Sequence, residues 1–104
     1  MTGQGAFNFE ARLTIQERFE EFDAAHPEVY GYLLSLCLEL RGRGWQHYGI
    51  KSLWERVRWH FQVEKELGED FKLNNNYHSR YARKIMAEHP EFEDFFELRE
   101  LRAE

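Results

Sequence analysis

The sequence predicts an all-α protein: a compact single domain of about five helices over residues 9–104, helix-turn-helix-like in order, with a minor extended segment and a flexible tail at residues 1–8. Three observations carry this. Apolar residues recur at helical spacing through most of the chain, as amphipathic helices require. Both prolines stand in the triplet His-Pro-Glu, at 26–28 and 89–91, where one helix must stop and another can start. A chain of 104 residues, 16% aromatic and 32% charged, suits one folded domain with a packed interior and wet helix faces.

The Gly and Gln of residues 1–8 offer little to pack, hence the tail. Thr14 and Glu17 form a capping-box pair, so the first helix starts after Thr14, with a start nearer Asn8 as the alternative. Ile15, Phe19 and Phe22 are its core stripe. The second helix runs from Pro27 to about Arg41 and is apolar nearly all round, which makes it the central helix. Gly42 or Gly44 supplies its left-handed cap. After the connection at 44–49, Ile50, Leu53, Trp54, Val57 and Phe61 mark a third helix reaching about Lys65. Gly68-Glu69-Asp70 is a turn and Phe71-Lys72-Leu73 a short extended stretch. Asn74, Asn75 and Asn76 then supply cap side chains for a fourth helix ending near Ala87. A fifth helix follows Pro90 and carries Phe92, Phe95, Phe96, Leu98 and Leu101.

Composition narrows the setting. The single cysteine, Cys37, cannot form an internal disulfide, and its apolar neighbours mark it as a small buried residue. No secretory leader is visible, and the apolar-rich stretch from Val29 to Leu40 is shorter than the roughly 20 residues that cross a bilayer. The expectation is a cytoplasmic protein with no membrane association. A net charge of −5 argues against unspecific binding to polyanions, though not against a local basic patch.

Charge is segregated along the chain. Residues 1–40 hold two basic and seven acidic residues, and residues 88–104 repeat that balance. Residues 41–60 hold five basic and one acidic, and residues 71–87 hold Lys72, Arg80, Arg83 and Lys84 with no acid. On a helical wheel, Tyr77, Tyr81, Ala82, Ile85 and Met86 fall on one half of the fourth helix, with His78. Ser79, Arg80, Arg83 and Lys84 fall on the other, which therefore reads as a wet, basic face opened by asparagines. Such a face can touch nucleic acid, with Arg80, Arg83 and Lys84 on phosphate and Asn75, Asn76 and Ser79 near base edges. The competing reading is a solvated face whose cations pair with the acidic first and last helices.

Arg41, Arg43, Lys51, Arg56 and Arg58 surround a loop carrying Trp45 and Tyr48, and basic residues interleaved with aromatics can grip a strand by stacking. Trp54 lies on the apolar stripe, and Trp45 and Trp59 read more simply as core or near-core residues. The order of helices two to four suits a helix-turn-helix with the fourth as recognition helix. The gap from Phe61 to Asn74 is long for that motif's turn of about 3–4 residues.

Catalytic and cofactor signatures are missing. His26, His47, His60, His78 and His89 stand in no metal-binding spacing, so no metal or other cofactor is expected. There is no phosphate-cradling glycine motif, and nothing selects Ser35 or Ser52 as a nucleophile. The pairs Glu20-Glu21, Glu69-Asp70 and Glu93-Asp94 read as solvated faces and turns. The expectation is a protein that is not an enzyme.

A set of local sequences is more distinctive: His26-Pro27-Glu28-Val29-Tyr30, Leu53-Trp54-Glu55-Arg56-Val57-Arg58-Trp59, Phe71-Lys72-Leu73-Asn74-Asn75-Asn76-Tyr77 and Arg80-Tyr81-Ala82-Arg83. Together, over roughly residues 16–102, they resemble a group of small phage and prophage proteins with no established activity. The resemblance implies a bacterial host cell and a larger partner.

The leading expectation is a nucleic-acid-binding accessory or regulatory protein using Asn75, Asn76, Ser79, Arg80, Arg83, Lys84, Lys72, Arg41 and Arg43. The alternative is an inhibitor or adaptor that engages a host protein complex through its acidic helices. A third expectation, a self-assembling particle component, places its interface on the aromatics of the fifth helix.

Overall fold

Capping residues and apolar spacing set each helix. The computed structural model describes residues 13–97, with four α-helices: α1 (Ile15–Ala25), α2 (Pro27–Gly42), α3 (Ile50–Trp59) and α4 (His78–Glu88). A π-turn (His60–Glu64) prolongs α3, a 3-10 turn (Asn75–Tyr77) leads into α4, and a second (Pro90–Phe92) follows it. There is no strand among the described residues, so the fold is all-α. The tail at 1–8, and Leu98 and Leu101 of the expected fifth helix, lie outside the described residues.

The α1 cap is the expected box. Thr14 Oγ1 accepts from the Glu17 amide at 3.0 Å, and Glu17 Oε1 accepts from the Thr14 amide at 2.9 Å. Pro27 opens α2, which ends where Gly44 takes a φ of +96°. There the Trp45 amide reaches back to the Leu40 carbonyl at 3.0 Å. Asn74 caps the turn before α4, its Oδ1 accepting from the Asn76 amide at 2.7 Å.

Tyr81, fully buried in α4, is the hub of the core. Phe19 of α1 meets it edge-on at 4.7 Å between centroids, Trp54 of α3 approaches to 5.4 Å, and Tyr30 of α2 stacks at 6.2 Å. Helix α4 is thus held by the other three helices, each through one aromatic ring. Burying the Phe19 ring stabilises the fold by roughly 1.5–3 kcal/mol, whereas Tyr81 and Trp54 gain less because the Tyr81 hydroxyl and the Trp54 indole nitrogen are buried without a partner. Cys37 is buried, as expected, and burial pushes its thiol up to about 12.

The structure departs from the sequence reading in four places. Helix α3 stops at Trp59, and its last turn widens so that the Lys65 amide bonds to the His60 carbonyl at 2.8 Å. In that turn His60 lies flat on Tyr32, 3.8 Å between centroids, while Phe61 stays buried. The fifth element is a 3-10 turn and not a regular helix through Glu97. Its backbone is held by the 44–49 connection instead: the Tyr48 amide bonds to the Phe95 carbonyl at 3.2 Å and His47 Nδ1 to the Asp94 carbonyl at 2.9 Å. Phe92, Phe95 and Phe96 are buried, so they present no assembly interface. Lastly, residues 65–74 separate the π-turn from the next helical turn, far more than a helix-turn-helix connection. No helix of the described residues is long and apolar enough to cross a membrane.

Candidate functional site

The nine residues selected from the sequence divide among three places. Arg80, Arg83 and Lys84 line a groove between α4 and α1, facing Gln16, Glu20 and Asp23. Arg80 is only 7% exposed, and its Nε donates to Gln16 Oε1 at 3.0 Å. A second guanidinium nitrogen donates to the Asn76 carbonyl, one turn earlier, at 3.3 Å. Lys84 forms an ion pair with Asp23 and sits 4.2 Å over the Tyr30 ring. Arg83 is half-buried beside them. The wet basic face expected for this helix is therefore a seam, with Arg80 inside the protein.

Arg41 and Arg43 lie elsewhere. The Arg41 guanidinium stands over the rings of Phe92 and Phe95, at 5.4 and 5.7 Å, and donates to the Glu91 carbonyl. It clasps the C-terminal turn to α2. Arg43 pairs with Glu39 one helical turn back, at 3.1 Å. Such an exposed pair contributes little stability, about 0.3–0.5 kcal/mol.

Asn75, Asn76 and Lys72 stay exposed, and Ser79 is half-buried. Asn75 Oδ1 accepts from Arg58, whose guanidinium also donates to the Leu73 carbonyl at 3.0 Å. Arg58 therefore ties α3 to the asparagine turn and brings the two acid-poor stretches of sequence side by side.

Beside that tie is a cleft of about 470 Å³ between the first turns of α3 and the start of α4. Lys51, Ser52 and Trp54 line it from α3, and Asn76 and His78 from the opposite side. Lys51 has no hydrogen-bond or ion-pair partner among the described residues. Trp54 is 1% exposed, and its indole Nε1 is buried without an acceptor. The His78 Nδ1 is likewise buried and unpartnered. Most buried polar atoms have a partner, and leaving one unsatisfied costs about 1–3 kcal/mol. Burial, then the charge of Lys51, hold the His78 imidazole below its ordinary value, so it is neutral at pH 7. Sequence reasoning placed Trp54 in the core and His78 on the apolar half of its helix. It had no signal that the two would border one cleft with Lys51.

Trp45 and Trp59 depart from their expected near-core positions, at 49% and 56% exposed. Trp45 meets Tyr48 edge-on, 5.3 Å between centroids. Among the described residues, no group of three His, Cys, Asp or Glu side chains is placed to hold a metal ion. No protein-family model, curated protein or solved structure matches the chain.

Proposed function

We propose that the protein is a non-enzymatic interaction module whose acidic exterior docks on the basic surface of a partner protein, as an inhibitor or adaptor of a host complex. The observation that supports this is how folding sorts charge. Among the described residues, fifteen of sixteen Asp and Glu side chains are exposed, against six of eleven Lys and Arg. The cations that sequence reading offered to nucleic acid are largely spent inside the molecule, on Gln16, Asp23 and the Glu91 carbonyl. What faces outward is dominated by carboxylates such as Glu21, Glu28, Glu93 and Glu97. A surface of that sign suits a partner site shaped for a polyanion, and it speeds encounter at low salt. The partner proposed is a bacterial one, a setting supported only by the sequence's resemblance to small phage and prophage proteins.

The test is capture from bacterial lysate at low and high salt, beside a Glu21/Glu93/Glu97→Lys variant. The expected result is one stoichiometric partner, held by the unmodified protein, weakened by salt and lost with the variant. A protein that retains no such partner, or a variant that retains it equally, would sink the reading.

A second reading, nucleic-acid binding, keeps one specific support. Lys51, Lys72, Asn75 and Asn76 are exposed around the Arg58 tie. Two lysines on phosphates give a salt slope of only about −2 for duplex DNA, far shallower than that of a dedicated binder. Fluorescence anisotropy across a salt series, with the Lys51/Lys72→Ala variant alongside, separates the two readings.

A further inference from the structure

Five large apolar side chains are exposed among the described residues, and three of them, Trp59, Val63 and Leu67, fall within one short stretch of chain. Apolar residues exposed singly are ordinary, but a group of them marks an interaction surface. Trp59 ends α3, and Val63 follows four residues on, on the same side of the turn. The Leu67 amide bonds to the Phe61 carbonyl at 3.1 Å and the Gly68 amide to the Gln62 carbonyl at 3.0 Å, so the chain folds back over the end of the π-turn. Glu66, at the bend, takes a φ of +60°, the one positive value outside glycine among the described residues. The backbone bonds hold that bend, so presenting Leu67 to a partner costs little ordering entropy.

We propose that Trp59, Val63 and Leu67 form the anchor by which the protein docks into an apolar pocket rimmed by arginine and lysine on a partner protein. The inference rests on the acidic docking reading above and deepens it by naming where contact is made. Charge identifies the occupant. Residues 63–70 are all exposed and carry four carboxylates against one lysine, Lys65. The His60 ring bonds to Glu64 at 2.9 Å, and that bond first, with the Trp59 side chain also contributing, holds the Glu64 carboxyl below its ordinary value. A surface of this sign repels nucleic-acid phosphates. It also repels a second copy of the chain, because a two-fold contact would set the same carboxylates against each other. A basic protein surface answers both halves of the patch: its cations meet the carboxylates, and an arginine can lie on the exposed indole of Trp59. Apolar and aromatic anchors seated in a pocket carry most of an interface's affinity, while the charges around them select the partner.

The experiment follows the Trp59 indole N–H of the full chain by NMR, the signal being assigned by its loss in Trp59→Phe. The probe is a synthetic amphipathic peptide of arginine and leucine at helical spacing. Two control peptides replace its leucines by serine or its arginines by glutamine. The expected result is a saturable shift of the Trp59 signal with the first peptide. Binding should be about tenfold weaker for either control, and for a Val63→Ser/Leu67→Ser variant whose circular dichroism is unchanged. No saturable shift at Trp59 into the millimolar range, or equal affinity after Val63→Ser/Leu67→Ser, would overturn the anchor. Equal affinity for the serine peptide would overturn it too, since charge alone would then account for binding. The same variant, added to the lysate capture, separates this inference from the reading beneath it. A partner held equally by Val63→Ser/Leu67→Ser overturns the anchor and leaves the acidic docking surface standing. A lysate that yields no partner overturns that docking reading, and the peptide titration still decides the anchor.

Discussion

Along the seam between α1 and α4, the cations of α4 are met by groups from a distant part of the chain, whereas Lys51 at the start of α3 meets none among the described residues. Arg80 finds Gln16 across 64 residues of sequence and Lys84 finds Asp23 across 61. Both stretches look alike on paper, acid-poor and basic. The difference is what the fold lays against them: an acidic helix over α4, an asparagine turn beside α3. An acid-free run of sequence is not an acid-free place in space. A cation's availability for a ligand depends on the neighbours that tertiary packing supplies.

The sharpest way to break this comparison is to truncate one cation from each region. Arg80→Ala removes a buried guanidinium, its bonds to Gln16 and the Asn76 carbonyl, and the packing of its stem. It should cost about 2–3 kcal/mol. Lys51→Ala removes an exposed charge that has no partner among the described residues and should stay within about 0.5 kcal/mol of the unmodified protein. Urea unfolding followed by circular dichroism measures both. Equal losses would mean the two regions do not differ in kind.

A smaller effect is expected one turn along the same seam. Lys84→Ala leaves Asp23 half-buried, its Oδ1 already without a partner. The side chains are 28% and 14% exposed, so solvent still screens the pair, and the loss should be about 1–2 kcal/mol instead of the 3–5 of a fully buried pair. Adding Asp23→Asn should restore part of it, because the orphaned charge goes with the lysine. A double variant whose loss equals the sum of the two single losses would show that Lys84 acts mainly through the Tyr30 ring.

The helices were legible because their signals are local. Thr14 and Glu17 cap each other within one turn, Pro27 starts its own helix, and Gly44 terminates α2 by its own backbone. Arg80 was not legible. On the wheel it falls about 60° from Tyr77, at the edge of the apolar half, where a long side chain can turn inward or outward. Only the arrival of α1 with Gln16 decides which. The end of the chain failed for a related reason. Phe92, Phe95 and Phe96 have the spacing of a helix, yet the carbonyls of Asp94 and Phe95 are claimed by His47 and Tyr48 from a loop that no periodicity describes. The cleft needed a third kind of information, the meeting in space of the first turns of α3 with the start of α4.

The gentlest probe of the cleft is pH. His78 is held below its ordinary value of 6.5, first by burial and then by Lys51, with Trp54 and Glu55 lining the cleft from α3 beside it. Above pH 6.5 the imidazole is neutral in both folded and unfolded chains and adds nothing to the pH dependence. As pH falls through 6.5 the unfolded chain takes up the proton first, so stability declines until the folded imidazole protonates as well. Thermal melts from pH 7.5 to about 5 should therefore show a fall in Tm that His78→Gln reduces. Lys51→Met should reduce it less, because Lys51 supplies the smaller of the two causes and burial the larger. A Tm decline that survives His78→Gln would move its origin to another histidine. A decline abolished by Lys51→Met would instead make charge, and not burial, the governing property of the cleft.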